Sequence, residues 1–309
     1  MAKAKPQKRT YDRYFKGFMG LSLNKNIVRF INKFYDDNLP LDSEVTRLET
    51  ETTDSEGELR RSDFIIKVAK RVFHIEIESG DGDNDGTMIL RMVEYGFRSA
   101  FMHGKLIEGN KLTLHFPAPV VIYLRDSEKT QTEFIVEMVL SNGKSVSQEI
   151  PVKRLSDYTA EDLFDEKLFA LSLFYPLRYE LLLRNNHTVD DESRFSAEIT
   201  SLLKRADVEL EKGEISSDEY DLILEAVSDI TKRVVLKSNI LNRKGIDEFM
   251  EQIQEKYNFE LLGIRIAEKE ETAITMIKAG EPIEKIINYS RLTREKIETL
   301  RLQLQKKPQ

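Results

Sequence analysis

Apolar residues along the first half of the chain follow two different periods. The segment NKNIVRFINKF has apolar residues at helical spacing, which predicts a helix that ends before Pro40. Further on, β-branched and apolar residues alternate or form short runs, which is typical of strands. The predicted elements are a strand over 43–52, a hairpin over 61–79, a helix over 87–106 and strands over 118–125 and 132–140.

Beyond about residue 155 the pattern becomes helical throughout. Amphipathic helices are predicted over 190–213, 216–239 and 245–257, and at least two of them begin with Ser or Asp caps. Three shorter helices follow over 270–280, 282–291 and 293–304, where Gly280 ends the first and Pro282 starts the second. We therefore predict an α/β fold with one domain over 1–185 and a helical region over 186–309.

Composition narrows the class of protein. The 309-residue chain has no cysteine, which excludes disulfides and thiolate metal sites. It has neither a signal-peptide pattern nor an apolar run of about 20 residues, so we expect a soluble cytoplasmic protein that does not associate with membranes.

The net charge is −7, yet residues 1–40 carry nine Lys or Arg against three acids, and residues 285–309 carry seven against two. Such patches attract a phosphate backbone, although solvated basic tails explain them equally well.

The hairpin over 61–79 carries acidic residues where a buried sheet would have none. Side chains alternate along its second strand, so His74, Glu76 and Glu78 share one face. If Ala69 and Lys70 form a two-residue turn, the antiparallel register places Asp63 directly opposite Glu76.

Two opposed carboxylates repel each other, so a positive group should lie beside them. A hard divalent cation such as Mg²⁺, held by Asp63 and Glu76, is one answer. The alternative is a solvated polar face, on which the acids pair with Arg60, Arg61 or Lys67.

Four segments follow, in order, the pattern of a known group of nucleases. They are DRYFKGFMG with NKNIVRFINKFY, SDFIIKV with HIEIES, LRMVEYGFRSAF, and AITMIKAGEPIEKIINYSRLTREKIETL. Together they resemble the PD-(D/E)XK nuclease superfamily and, more closely, its recombination-promoting nuclease/putative transposase family. The resemblance implies a restriction-endonuclease-like mixed sheet core flanked by helices. It also implies a metal-dependent DNA endonuclease that acts in recombination or transposition.

The same resemblance implies roles for individual residues. Asp63 and Glu76 would bind Mg²⁺, or Mn²⁺, together with the backbone carbonyl of Ile77. Arg91 and Tyr95 have an R-x-x-x-Y spacing similar to the Gln-x-x-x-Tyr of RecB-like nucleases, and they would steady the site or the phosphate of the DNA.

One position departs from the nuclease motif. Glu78 stands where the motif has Lys or Gln, and a carboxylate cannot stabilise negative charge on a phosphate as an ammonium can. Glu78 could act as a base or a metal ligand, and Lys67, on the same face as Asp63, could supply the missing cation. The departure equally fits a catalytically weakened protein that keeps the fold and acts as a DNA-binding or assembly module.

The end of the chain resembles a helix-turn-helix. Its last predicted helix and the residues before it are basic, with Arg291, Arg294, Lys296 and Arg301. A packing module is the alternative, and the amphipathic helices of 186–309 could also form a homodimer.

Overall fold

The computed structural model describes residues 6–48, 51–53, 59–61, 64–79, 87–125, 130–256, 259–290, 292 and 294–306. The chain forms two compact units, one of Met1–Gly20 with Asn24–Arg178 and one of Leu21–Leu23 with Tyr179–Gln309. The boundary predicted from the sequence, after residue 185, lies slightly further along the chain.

The elements as far as Ser172 are mixed. The helices are α1 Pro6–Leu21, α2 Asn24–Phe34, α3 Thr87–His103, α4 Ala160–Asp165 and α5 Phe169–Ser172. The strands are β1 Val45–Arg47, β2 Glu51–Thr53, β3 Leu59–Arg61, β4 Phe64–Val68, β5 Arg71–Glu78, β6 Lys105–Glu108, β7 Lys111–Leu114, β8 Ala118–Tyr123, β9 Glu133–Val139 and β10 Ser145–Arg154. Short 3₁₀ helices span Leu155–Asp157 and Tyr175–Tyr179.

Six strands form one mixed sheet in the order β1-β4-β5-β8-β10-β9. The β5–β8 and β8–β10 pairs are parallel, whereas β1–β4, β4–β5 and β9–β10 are antiparallel. Parallel neighbours need a long crossover connection, and α3 with the β6–β7 hairpin supplies it between β5 and β8. The predicted α/β class is confirmed.

The predicted register of the β4–β5 hairpin is also confirmed. Val68 lies opposite Arg71 and Phe64 lies opposite Ile75. Ala69 has a φ of 53°, in the left-handed region that a two-residue hairpin turn requires. Asp63 precedes the first described residue of β4 and lies outside the described residues.

Strand β5 is covered on both faces. On one face Phe73 packs against Tyr35, with ring centroids 4.9 Å apart. On the other face Glu76 is the neighbour of Val121 on β8, and Val121 belongs to a core cluster that includes Met92 of α3. At Glu76 the alternative of a solvated polar face is therefore wrong, because this side chain has no exposed surface and the crossover helix lies over it.

Two elements differ from the predicted pattern. Helix α3 ends at His103, and residues 105 and 106, which were predicted as helical, begin β6 instead. Gly104 ends the helix because its carbonyl accepts from the His115 N–H at 2.9 Å, and a Cβ at Gly104 would overlap the His115 backbone. Strand β10, for which no strand was predicted, lies inside the sheet between β8 and β9.

The second unit is helical in its described part. Its helices are α6 Glu180–Arg184, α7 Val189–Glu211, α8 Ser217–Leu236, α9 Arg243–Lys256, α10 Phe259–Lys278, α11 Ile283–Ser290 and α12 Arg294–Lys306. Ser216 caps α8 with a complete capping box, as predicted. Helix α7 also begins with a complete capping box, but its cap is Thr188, two residues before the predicted start at residue 190. Among the helices described, none combines the length and apolar character that a membrane crossing needs.

Candidate functional site

Glu76 is a carboxylate with no exposed surface, in the interior of the sheet. The alternation of β5 turns its side chain towards α3, and β8 flanks it through Val121. Burying a carboxylate costs free energy unless hydrogen bonds or an opposite charge compensate for it. The surroundings of Glu76 supply both.

Arg91 is the compensating charge. Its Nη2 forms an ion pair with Glu76 Oε2, and its Nη1 lies 3.5 Å from Glu78 Oε2. The Arg91 side chain is 26% exposed and that of Glu78 is 17% exposed, so the charge cluster extends from the interior to the solvent. The sequence resemblance had singled out Arg91 as a site residue, but not as the partner of the buried acid.

His74 contacts the other oxygen of Glu76. Its Nε2 lies 3.1 Å from Glu76 Oε1, and both side chains have no exposed surface. Since a carboxylate only accepts, the ring donates this hydrogen bond. The Tyr35 hydroxyl donates to the His74 carbonyl at 3.0 Å, which helps to hold this part of β5 in place.

Tyr95 lies one helical turn after Arg91 and completes the cluster. It is buried, and its ring meets the His74 ring edge-on with centroids 6.0 Å apart. Burial raises the pKa of Tyr95, and the negative charge of Glu76 acts in the same direction, whereas the charge of Arg91 and its hydrogen bond to Tyr95 oppose this. Tyr95 therefore remains a neutral hydroxyl at physiological pH.

Lys67 is not brought to this cluster. It is exposed and lies opposite Val72, four residues before Glu76 on β5. At roughly 3.3 Å per residue, that separation is about 13 Å along the strand. Ile77 directs its buried side chain to the opposite face, so only its backbone could contribute to a site.

The donors only partly match a site for a hard divalent cation. Glu76 and Glu78 offer carboxylates from one strand face. Each carboxylate oxygen has two lone pairs, so a lone pair remains on each Glu76 oxygen beside its contact with His74 or Arg91. Within the described ranges, no group of three or more His, Cys, Asp or Glu side chains is arranged to hold a metal. Asp63, which was predicted to bind the metal together with Glu76 and the Ile77 carbonyl, lies outside those ranges.

The carboxyl ends of β5 and β8 meet beside this cluster. Arg125, just after β8, donates to the Ser79 carbonyl at 2.6 Å and to the Tyr11 hydroxyl at 3.1 Å. Its guanidinium also lies over the Tyr11 ring, 5.1 Å from the centroid. Ligands of open α/β sheets bind outside the carboxyl ends of parallel strands, so this edge is the expected place for a substrate. The sequence pattern did not indicate Arg125.

The C-terminal helices form a small cluster of their own. Gly280, with a φ of 73°, ends α10, and Pro282 precedes α11, as predicted. Ala273, Ile286 and Leu300 pack between α10, α11 and α12. Arg294 forms an ion pair with Glu284, and Arg301 donates to the Glu281 carbonyl at 3.2 Å. Both arginines therefore contact the preceding segments, while the Arg291 and Lys296 side chains lie outside the described part.

Comparison with protein-family models, with curated proteins and with solved structures finds no significant match for this chain.

Proposed function

We propose that this protein is a metal-dependent DNA endonuclease with a restriction-endonuclease-like core. The observation that carries the proposal is the fully buried Glu76, which shares Arg91 with Glu78 at the end of a parallel strand. The mixed sheet flanked by helices is compatible with the resemblance seen in the sequence.

A buried charge cluster at this place favours a functional role over a structural one. Buried ion pairs add little net stability, since desolvation offsets the attraction between the charges, and apolar side chains of similar size would often serve better. Desolvated charges beside a cleft are candidates for catalysis or binding. The cluster also reaches solvent through Arg91 and Glu78, where a substrate could approach it.

In this proposal Glu76 and Asp63 hold Mg²⁺ or Mn²⁺ together with the Ile77 carbonyl. Continuing the hairpin register by one residue beyond the Phe64–Ile75 pair would place position 63 opposite Glu76. A bound Mg²⁺ supplies a water of lowered pKa and neutralises charge on the scissile phosphate.

Arg91 takes the place of the cation that the motif usually has at position 78. Its guanidinium presents several donors in a plane and suits a phosphate. Glu78 orients the attacking water by accepting its hydrogen bond, and Tyr95, held neutral, can donate to a phosphate oxygen. Lys67 is too far along the strand for this role.

A plasmid-nicking assay tests the proposal. Supercoiled DNA is incubated with the protein and Mg²⁺ or Mn²⁺, and relaxed and linear products are measured. Asp63→Asn and Glu76→Gln should each lower cleavage at least about hundredfold. Glu137→Gln, at an exposed acid on β9, is the matched control and should cleave normally. Cleavage that persists in both site variants contradicts the assignment.

The second candidate is a catalytically weakened nuclease-fold protein that binds DNA or assembles through its helical region. The contacts of Glu76 favour this second candidate, because both of its carboxylate oxygens already have protein partners. This candidate predicts DNA binding that weakens steeply with salt, and no cleavage with either metal. Sedimentation measures the predicted self-association of the helical region.

A further inference from the structure

Strand β9 forms one edge of the six-stranded sheet. It pairs with β10 on one side, and no described strand of the sheet lies on its other side. The pairing with β10 runs without a bulge over seven residues, Glu133–Val139. Native edge strands are usually short, bulged or protected by Lys or Pro, because a row of unpaired backbone groups attracts another chain. β9 is long and regular and contains neither Lys nor Pro, so it is suited to strand pairing.

Hydrogen bonds at the two ends of the β9–β10 ladder show which backbone groups point outwards. The Val152 N–H donates to the Thr132 carbonyl at 3.1 Å, and the Leu140 N–H donates to the Lys144 carbonyl at 2.7 Å. Backbone groups alternate in direction along an antiparallel pair, so the even-numbered residues of β9 bond to β10. The N–H and C=O groups of the odd-numbered residues therefore point away from the sheet.

The side chains of β9 divide between the two faces of the sheet. The even-numbered side chains are apolar and lie on the α3 side, where Val136 and Met138 line an apolar pocket with Phe97 of α3. On the other face Ile135 and Val139 are 61% and 69% exposed and alternate with exposed acids, which are Glu133 and Glu137. Each face therefore has apolar side chains at the open edge.

We propose that β9 pairs with β9 of a second copy of this chain, antiparallel and with Val136 on the two-fold axis. In this register Ile135 lies opposite Glu137 of the second copy, and Val139 lies opposite Glu133. All four positions are odd-numbered, so their outward N–H and C=O groups bond to each other across the axis. On the α3 side Val136 meets its own copy, and the apolar layers of the two sheets become continuous.

The charges of β9 select this register over its neighbours. With Ile135 on the axis, Glu133 would lie opposite Glu137 of the second copy. With Glu137 on the axis, the two copies of Glu137 would face each other. Like charges directly opposite each other destabilise a strand pair. A shift by one residue would place odd-numbered residues opposite even-numbered ones, whose backbone groups already bond to β10.

This self-complementarity favours a second copy over an unrelated strand. Two-fold dimers that use the same surface on both subunits are the commonest oligomers. The proposal concerns association alone and rests on neither metal binding nor cleavage. It also differs from a dimer through the helical region, because the contact lies on the sheet of the first unit.

A single introduced cysteine tests the position of the axis, since the chain has none of its own. Val136 would meet its copy in a non-hydrogen-bonded pair with Cα atoms about 4.5 Å apart, a separation that a disulfide spans. Val136→Cys should therefore give a disulfide-linked dimer on a non-reducing gel after mild oxidation. Val139→Cys is the control, because that side chain is more exposed. Its two copies would lie about 20 Å apart along the strands, so it should stay unlinked. Linking of Val139→Cys without Val136→Cys contradicts the register.

A pair of charge substitutions tests the facing residues. Val139 lies opposite the neutral Ser145 on β10, so a charge at position 139 meets no acid directly opposite it within its own sheet. Val139→Glu would place like charges opposite each other twice in the dimer, whereas Val139→Lys would place opposite charges there. Val139→Lys should therefore dimerise at least about fivefold more tightly than Val139→Glu, as measured by sedimentation. Equal dissociation constants for the two variants contradict the proposed pairing.

Sedimentation of the unmodified 309-residue chain completes the test. It should show a dimer at about 100 μM, and a monomer at that concentration overturns the proposal. A dimer that is unaffected by both Val139 substitutions, and that forms no disulfide through Val136→Cys, also overturns it. Self-association would then lie elsewhere in the chain.

Discussion

Arg91 on α3 forms an ion pair with Glu76 on β5, fifteen residues earlier in the chain. Because α3 is the crossover between two parallel strands, it covers the face on which Glu76 lies and carries the balancing charge into the sheet. The buried acid and the helix above it therefore form one electrostatic unit.

The first prediction concerns that ion pair. Arg91→Met should lower the free energy of unfolding by about 3 kcal/mol, because it leaves the buried Glu76 without its cation. Arg98→Met removes a more exposed pair with Glu94 on the same helix and should cost less than about 1 kcal/mol. Urea unfolding measures both. The double variant Arg91→Met with Glu76→Gln should be less destabilised than the sum of its single changes, and simple additivity would show that the pair is not coupled.

The second prediction concerns metal binding. Mg²⁺ or Mn²⁺ should raise the melting temperature by mass action, and Asp63→Asn or Glu76→Gln should remove that rise. If repulsion from Asp63 were the sole interaction of Glu76, the Glu76→Gln variant without metal would melt at the same temperature as the unmodified protein or higher. The contacts with Arg91 and His74 reverse that expectation, so this variant should melt lower without metal. A metal-induced rise that survives both substitutions would exclude these ligands.

The third prediction separates two candidate cations. Lys67→Met should leave plasmid cleavage within about twofold of the unmodified protein, since Lys67 lies opposite Val72 and away from Glu76. Arg91→Lys keeps a positive charge but loses the planar donor pair, and should lower cleavage at least about tenfold. Initial rates of plasmid cleavage are compared at protein concentrations that bind the same fraction of the DNA. A large loss in Lys67→Met with a small one in Arg91→Lys would reverse the assignment.

The fourth prediction concerns acid stability of the second unit. Glu192 accepts from the N–H groups of Leu241 and Asn242 at 2.6 and 2.9 Å and contacts His187 at 2.9 Å. Burial alone would raise the pKa of Glu192, but these hydrogen bonds outweigh it and the pKa is lowered. The stabilisation is therefore fully present above the ordinary value of 4.5 and is lost as the pH falls through the lowered pKa.

Thermal melts of the unmodified protein and Glu192→Gln between pH 7 and pH 3 measure this contribution. The unmodified protein should be more stable at neutral pH, and the difference should shrink below pH 4.5. Glu248→Gln, at a more exposed acid on α9, is the control and should show little difference at any pH. A constant difference across the range would mean that the charge of Glu192 is not involved.

Local interactions explain the features that could be predicted from the residues alone. The turn at Ala69 and Lys70 and the alternation of β5 depend on neighbours in the chain, so the hairpin register followed directly. The capped helices α7 and α8 and the stop at Gly280 are local for the same reason. By contrast, β10 has few apolar residues, and its place between β8 and β9 depends on pairing with both of those strands.

Long-range packing explains what the residues alone did not reveal. Alternation places Glu76 on a polar face, but whether solvent or a helix covers that face depends on where the β5–β8 crossover packs. The crossover makes Arg91 the partner of Glu76, leaves Lys67 outside the cluster and encloses His74 Nδ1 beside an apolar pocket. Side-chain periodicity gives the direction of a residue from its own strand, whereas its partners and its burial come from elements that only the folded chain brings together.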